Sequence, residues 1–404
     1  MLYIFLCLPI FSSGQFHRCG TREASLKRTN WQINQTEQII QDYLSQNKAE
    51  ARSDITIPVV IHIVWNQEEE NISDEQILSQ IEVLNEDFQA MNVEQTTIPA
   101  EFKNLVANTG IKFCLAKKDE RGRASTGILR TFTREVSVAD NDALLKNSSF
   151  GGSDAWDTKR FLNIWVGRRN SGILGEATMP GEAEDWEDGI VIDYRALGTM
   201  GTALENEPYN LGRTLTHEVG HYLGLKHLWG ESFDNSSCEG DDGLSDTPFQ
   251  AESYNQKCPN GQVRTCQSLD MYMNFMNYTD DACMSLFTVQ QSERMLAVLN
   301  TVRKELIENT VCEMVNSTDY SLSENTVILS PNPATEQVYI QLQNYPQPLS
   351  AAFYNALGQC LKKTKITPGT TYLLDVQNYS SGIYYLRLHN ENQHITKSIF
   401  INPK

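Results

Sequence analysis

"THEVGHYLGLKHLWG", residues 216–230, sets His217, His221 and His227 around one carboxylate, Glu218. Residues four apart on an α-helix lie one turn above each other, so this spacing brings the imidazoles of His217 and His221 to a common point. Glu218 follows the first histidine directly, and its carboxylate would project beside a metal held there, where it suits a general base. Leu215, Val219, Tyr222 and Leu223 give the segment an apolar face to bury, which fixes the imidazoles. Gly224 allows a sharp bend at the helix end, because a residue without Cβ takes left-handed geometry freely. Past that bend His227 swings back as a third ligand. Three neutral imidazoles leave one position of a tetrahedral zinc open to water, the arrangement of a catalytic rather than a structural site. A bare HExxH also arises by chance or on a plain surface helix. The longer HExxHxxGxxH is far more demanding, and all five of its fixed positions are met.

This longer pattern resembles the metzincin clan of zinc endopeptidases. The clan places a tight methionine turn beneath the metal, and "MNFMNYTDDACM", residues 273–284, is similar to it. The resemblance implies Met276 as the floor of the site and Tyr278 as a residue that assists the oxyanion. Together with "DGIVIDYRALGTMGT" at 188–202, these stretches resemble the pappalysins, particularly their bacterial branch, over about residues 52–312. That likeness implies an α+β catalytic domain, with an upper twisted sheet and helices, an irregular lower subdomain, and a cleft between them. It further implies cleavage before basic residues, through an acidic group near the methionine turn. The family's aspartate position is Ala282 here, so the expectation passes to Asp280 and Asp281 just before it.

Composition agrees with an exported enzyme of several parts. A chain of 404 residues, 40% of them apolar, is long enough for two or three units. With 33 basic and 51 acidic side chains the formal charge is −18, which argues against nucleic acid as a partner and fits cationic substrates or bound calcium. "MLYIFLCLPIFSSG", residues 1–14, reads as an export signal, too short to span a bilayer, and nowhere else is there an apolar run of membrane-spanning length. Of nine cysteines, Cys7 lies in that signal. In an exported chain the rest favour disulfides. Cys238, Cys258, Cys266 and Cys283 surround the stretch between the third histidine and the methionine turn. They allow three pairings, among which spacing does not choose, and the lack of a CxxC pair argues against a four-thiolate zinc site. The pappalysin resemblance implies Cys238 with Cys266 and Cys258 with Cys283.

Cys19, in "HRCGT", stands just after the signal and before a polar, helix-compatible stretch; a thiolate there could fill the open zinc position and keep the enzyme latent until the segment is removed. The pro-segment is expected over 15–51, ending near "AEARSD", where Arg52 offers a basic cleavage point. "ITIPVVIHIVW" then reads as the first strand of a catalytic domain over 52–315. The following "SDEQILSQIEVLNEDF" reads as a helix, with Ser73 and Gln76 as a capping box and Ile77, Ile81, Leu84 and Phe88 on one face. "GILGEATMPG", residues 172–181, resembles the edge strand on which metzincins pair an extended peptide. "EGDDGLSDTP", residues 239–248, is an oxygen-rich loop without an EF-hand register, compatible with calcium or with a plain solvated loop. The pappalysin resemblance implies calcium, with Asp241, Asp242, Asp246 and Thr247 as candidates.

After a polar linker at 316–326 the chain alternates apolar and polar residues between turn signals, which predicts a small all-β sandwich over 327–404. Its "SPNPA", "NALGQ" and "SGIYYLRL" resemble the C-terminal sorting domain of type IX secretion. That implies the type IX secretion machinery as a partner, export through the periplasm, and release or attachment at the cell surface. The expectation is therefore a latent, secreted zinc endopeptidase acting on protein and peptide substrates. The competing reading is a surface-anchored binding protein on a peptidase fold; intact catalytic identities argue against it.

Overall fold

In the computed structural model, the described residues are 17–21, 30–46, 55–182, 185–230, 238–251, 253–255, 258–312, 326–342, 349–356, 358–367, 371–389 and 394–402. The expected signal, Arg52 and nearly all of the expected linker lie outside them. The chain divides into two units, Met1–Cys312 and Glu313–Lys404.

The first unit is organised by one seven-stranded sheet. β1 (His17–Cys19) precedes helix α1 (Asn30–Gln46), and β2 (Ile55–Trp65) then leads into helix α2 (Asp74–Phe88). β3 (Ile111–Leu115), β4 (Ile128–Phe132), the short helix α3 (Asp142–Leu145), β5 (Leu162–Gly167), β6 (Ile173–Ala177) and β7 (Ile190–Asp193) follow. The sheet runs β1-β6-β7-β5-β2-β3, with β4 beside the second half of β2. β2 is buried on both faces over Ile57–Val64, as its largely β-branched run, interrupted by Pro58 and His62, requires of a central parallel strand. Only β6 runs against its neighbour β7.

α2 presents Ile77, Ile81, Leu84 and Phe88 to the core. Its start holds half of the expected capping box. The Ser73 side chain accepts from the Gln76 backbone, but the Gln76 side chain turns to the loop at 194–202: its Oε1 accepts from Thr202 N–H and its amide donates to the carbonyls of Tyr194 and Leu197.

Helix α4 (Arg213–Tyr222) passes beneath β6 and ends in a Schellman turn: Leu225 N–H donates to Gly220 O, and Gly224 N–H, at φ +87°, donates to His221 O. From there to helix α5 (Val289–Asn300) the described chain has no regular helix longer than one turn and no paired strand. Cys238–Cys266 and Cys258–Cys283 brace this irregular stretch. A third bridge, Cys114–Cys312, ties the end of the unit, past the short helix α6 (Lys304–Ile307), back to β3. Cys360 is a free, exposed cysteine.

The second unit is all β. One sheet has the order β11 (Cys360–Ile366), β10 (Leu349–Tyr354), β13 (Gly382–His389), β14 (His394–Ile401); the other has β12 (Tyr372–Asp375), β9 (Gln337–Leu342), β8 (Val327–Ser330). Val338, Ile340, Phe353, Leu386, Leu388 and Ile399 form its core. No helix among the described residues is long and apolar enough to cross a membrane.

Candidate active site

α4 delivers the motif as a rigid unit. His217, Glu218, His221 and His227 are all buried, and His221 Nε2 lies 3.0 Å from both His217 Nε2 and His227 Nε2. The other nitrogens of the first two rings are committed: His217 Nδ1 donates to Phe275 O at 2.7 Å and His221 Nδ1 to Leu225 O at 2.8 Å. With the proton fixed on Nδ1, each Nε2 lone pair faces inward. Lone pairs this close repel unless a cation sits between them. Burial pushes the His221 imidazolium down to about 4 and that of His217 well below its usual range, so both rings stay neutral, the form that ligates. The donor set therefore fits zinc.

The floor is Met276. A Cβ on Gly220 would collide with Met276 Sδ, so this glycine is what lets the methionine turn approach the helix. Asn274 closes that turn by accepting from Met276 N–H, and its amide reaches Gln291 of α5. The Tyr278 hydroxyl stands 3.0 Å from His227 Nε2, at the rim of the metal position. Trp229 stacks flat on His227, with centroids 4.7 Å apart and planes 4° apart, and meets Tyr278 edge-on. Above, Gly175 of β6 passes so near Glu218 that a Cβ there would lie 2.6 Å from its Cγ.

β1 covers this centre. It pairs parallel to β6, His17 with Ile173 and Cys19 with Gly175. Cys19 Sγ joins the three histidine nitrogens in one cluster whose ligand atoms all lie within 4.8 Å of one another, and it donates to Glu218 Oε2 at 3.6 Å. Burial, and then the Glu218 charge, push the Cys19 thiol well up, while burial raises Glu218 to about 8. Two neighbours of Cys19 were not singled out in the sequence. The Thr21 hydroxyl donates to Glu218 Oε2 at 2.8 Å and accepts from Ala177 N–H of the edge strand. Arg18 is fully buried. Its Nη2 donates to Asp281 Oδ1 at 2.7 Å and to Thr279 O at 2.6 Å, and its guanidinium lies 4.8 Å from the Tyr209 ring centroid. The one available signal was a basic residue beside the candidate cysteine.

Asp281 is thus the acid that meets a cation; its second oxygen accepts from the backbone of Leu211 and Arg213. Asp280, half-buried beside it, makes no such contact with Arg18. In the acidic loop the candidates separate. Asp242 is buried, with Oδ1 accepting from the Thr247 hydroxyl and Oδ2 without a hydrogen-bond partner. Asp241 is exposed and accepts from Gly243 N–H, and Asp246 accepts from the Thr288 hydroxyl and Gln290 N–H at the start of α5.

Comparisons with known proteins agree with this geometry. Residues 146–300 match the peptidase M43 family, described as pregnancy-associated plasma protein-A, and residues 329–402 match the secretion system C-terminal sorting domain. The chain is 31% identical over 255 residues to an extracellular metalloprotease of Arthroderma otae, covering 61% of this chain and 80% of the relative. It is 28% identical over 269 residues to one from Arthroderma gypseum, covering 65% and 78%. Among solved structures it is similar to a promirolysin mutant of Tannerella forsythia, at 41% identity and TM-score 0.65, covering 72% of this chain and 97% of that one. Mature mirolysin in complex with a cleaved peptide follows at 45% and 0.59, covering 64% and 97%. A buried trio of inward-facing imidazoles with an adjoining glutamate, a methionine floor and relatives at this identity lead to one assignment: the chain belongs to the pappalysin family of zinc metalloendopeptidases and carries a type IX sorting tail.

Proposed function

We propose that this is a latent endopeptidase that cuts protein substrates before basic residues. In this reading a signal over 1–14 and a pro-segment over 15–51 precede a catalytic domain at 52–315, a linker at 316–326 and a sorting domain at 327–404 that addresses it to the type IX machinery and the cell surface. The observation that carries it is β1, whose Cys19 points into the histidine cluster while Arg18 fills a buried acidic pocket.

His217, His221 and His227 would hold zinc, which supplies Lewis acidity to a water and to the scissile carbonyl. Glu218 takes the proton of the attacking water as oxygen adds to the carbonyl carbon, then passes it to the amine nitrogen as the C–N bond breaks. The Tyr278 hydroxyl donates to the developing oxyanion. Edge strand β6 pairs with the substrate backbone. Asp281, with Thr279 O and the Tyr209 ring, receives the basic side chain after the cut, as they now receive Arg18. β1 pairs along β6 and takes up that edge, so a substrate can pair there only once β1 has left it.

Glu218→Ala should retain zinc and lose cleavage of a proteome-derived peptide library by about 10²–10⁴-fold. Wild-type cleavage by that variant, or a library profile indifferent to Arg and Lys, would overturn the mechanism or the specificity respectively. For calcium, the supporting observation is the unpartnered, buried Oδ2 of Asp242, whose carboxyl burial raises to about 7. Calcium added back to stripped, zinc-loaded protein should raise its unfolding temperature, and Asp242→Asn should abolish that rise. An unfolding temperature indifferent to calcium rules the site out.

A further inference from the structure

α1 lies against α5 of the catalytic unit. Its inward stripe is Ile33, Thr36, Glu37, Ile40, Tyr43 and Leu44, the spacing of one helical face. Ile40 is buried against Ala297 and Val298 of α5, with Tyr43 and Leu44 packed around it. One turn earlier, Glu37 makes a two-pronged pair with Arg294, its oxygens 3.0 and 2.6 Å from Nη1 and Nη2. Lys226 adds a second positive charge toward Glu37. Thr36 fits over Gly181, where any Cβ would strike its hydroxyl.

The surface beneath α1 thus pairs an apolar patch, Ala297 and Val298, with two cations, and it is built rather than incidental. Arg294 is buried, and its Nε donates to Gly224 O at 2.6 Å, so the guanidinium is fixed by the turn that carries the chain toward His227. When the pro-segment leaves, Arg294 keeps that anchor and loses only Glu37. What remains is a preformed site with a cationic fork one helical turn from an apolar seat.

We infer that this face of α5, once α1 has left it, is a docking surface on the mature enzyme for an acidic amphipathic helix of the protein substrate, carrying a carboxylate three residues before a branched aliphatic side chain. α1 shows the occupant's chemistry, Glu37 on Arg294 and Ile40 on Ala297 and Val298. The surface selects substrates by a contact remote from the scissile bond. The inference rests on the proposed removal of the pro-segment and on peptidase activity, and its test separates the two.

The full chain is given a site-specific cleavage sequence in place of residues 47–54, cut, and freed of its pro-segment. Two measurements follow. A labelled peptide of residues 30–46 should bind the freed enzyme, and its E37K and I40A versions should bind at least about tenfold more weakly. Separately, a short cleavable peptide joined to residues 30–46 by a flexible linker should show a KM about tenfold or more below that of the unjoined peptide, with kcat unchanged. Ala297→Glu in the enzyme should remove that advantage and leave the unjoined peptide untouched. Equal KM for joined and unjoined substrates, or binding indifferent to E37K and I40A, overturns the surface. Absence of any chelator-sensitive cleavage of the unjoined peptide overturns the peptidase reading instead, and the direct binding measurement then still decides the surface.

Discussion

α4 and β1 meet at Glu218, yet they are specified over different distances in the chain. In α4 the spacing of His217, Glu218 and His221 fixes their geometry locally, and the Schellman turn at Gly224 adds His227 within eleven residues. β1 has three residues and, among the described residues, only the bond from Thr21 N–H to Cys19 Sγ is local to it. Its place comes from β6, 156 residues downstream by its first pair, His17 with Ile173, and from Asp281, 263 residues beyond Arg18. A site made by neighbours in sequence is robust, whereas one closed by distant partners can be opened.

The strongest way to break that contrast is through Gly175, which belongs to β6 but limits α4. Gly175→Ala would set a methyl 2.6 Å from Glu218 Cγ. The glutamate must move, and displacement of a catalytic group by about an ångström costs about 10²-fold in rate. The expected result is folded protein that binds zinc and has kcat/KM about 10²-fold lower. Wild-type kcat/KM would mean that the helix does not depend on the strand above it.

Next in size is the closure itself. Thr21→Val removes one hydrogen bond to Glu218 and one from Ala177 N–H while keeping the side chain's shape. Two hydrogen bonds lost together are worth enough for about a tenfold rise in the initial rate of the full chain on a short peptide. Cys19→Ala, which takes away the sulfur in the histidine cluster, should exceed it. Equal rates for Thr21→Val and wild type, with mass spectrometry showing residues 15–51 still attached, would leave any closure to Cys19 and Arg18.

The same contrast explains what the sequence made legible. The histidine cluster, Glu218 and the buried face of α2 follow from spacing and turn chemistry, so their identities were readable. Met276, Tyr278, and the pairings Cys238–Cys266 and Cys258–Cys283, came from family likeness. Arg18 and Thr21 were not singled out because their roles exist only across the sheet: an arginine beside the candidate cysteine shows nothing of Asp281 until the chain is folded. The choice between Asp280 and Asp281 needed the third dimension too, as did Asp246, whose oxygens serve Thr288 and Gln290 in the loop that was read as one oxygen-rich cluster.

The smallest effect lies where α1 packs on α5. The hydrogen bonds and charge of Arg294 hold the Glu37 carboxyl down to about 2 from its ordinary 4.5, against a partial burial that pushes the other way. A carboxyl with a depressed value favours the docked helix above 4.5 and loses that contribution as pH falls from 4.5 through about 2. Glu37 keeps 38% of its side chain exposed, so solvent screens the pair and its worth is within about 1 kcal/mol. Hydrogen exchange of α1 amides in the full chain, corrected for intrinsic rates, should therefore quicken only a few-fold more between pH 5 and pH 3 in wild type than in Glu37→Gln. Identical pH responses would show that Ile40 and its apolar seat alone hold α1, and that this helix, unlike β1, is fastened by packing rather than by charge.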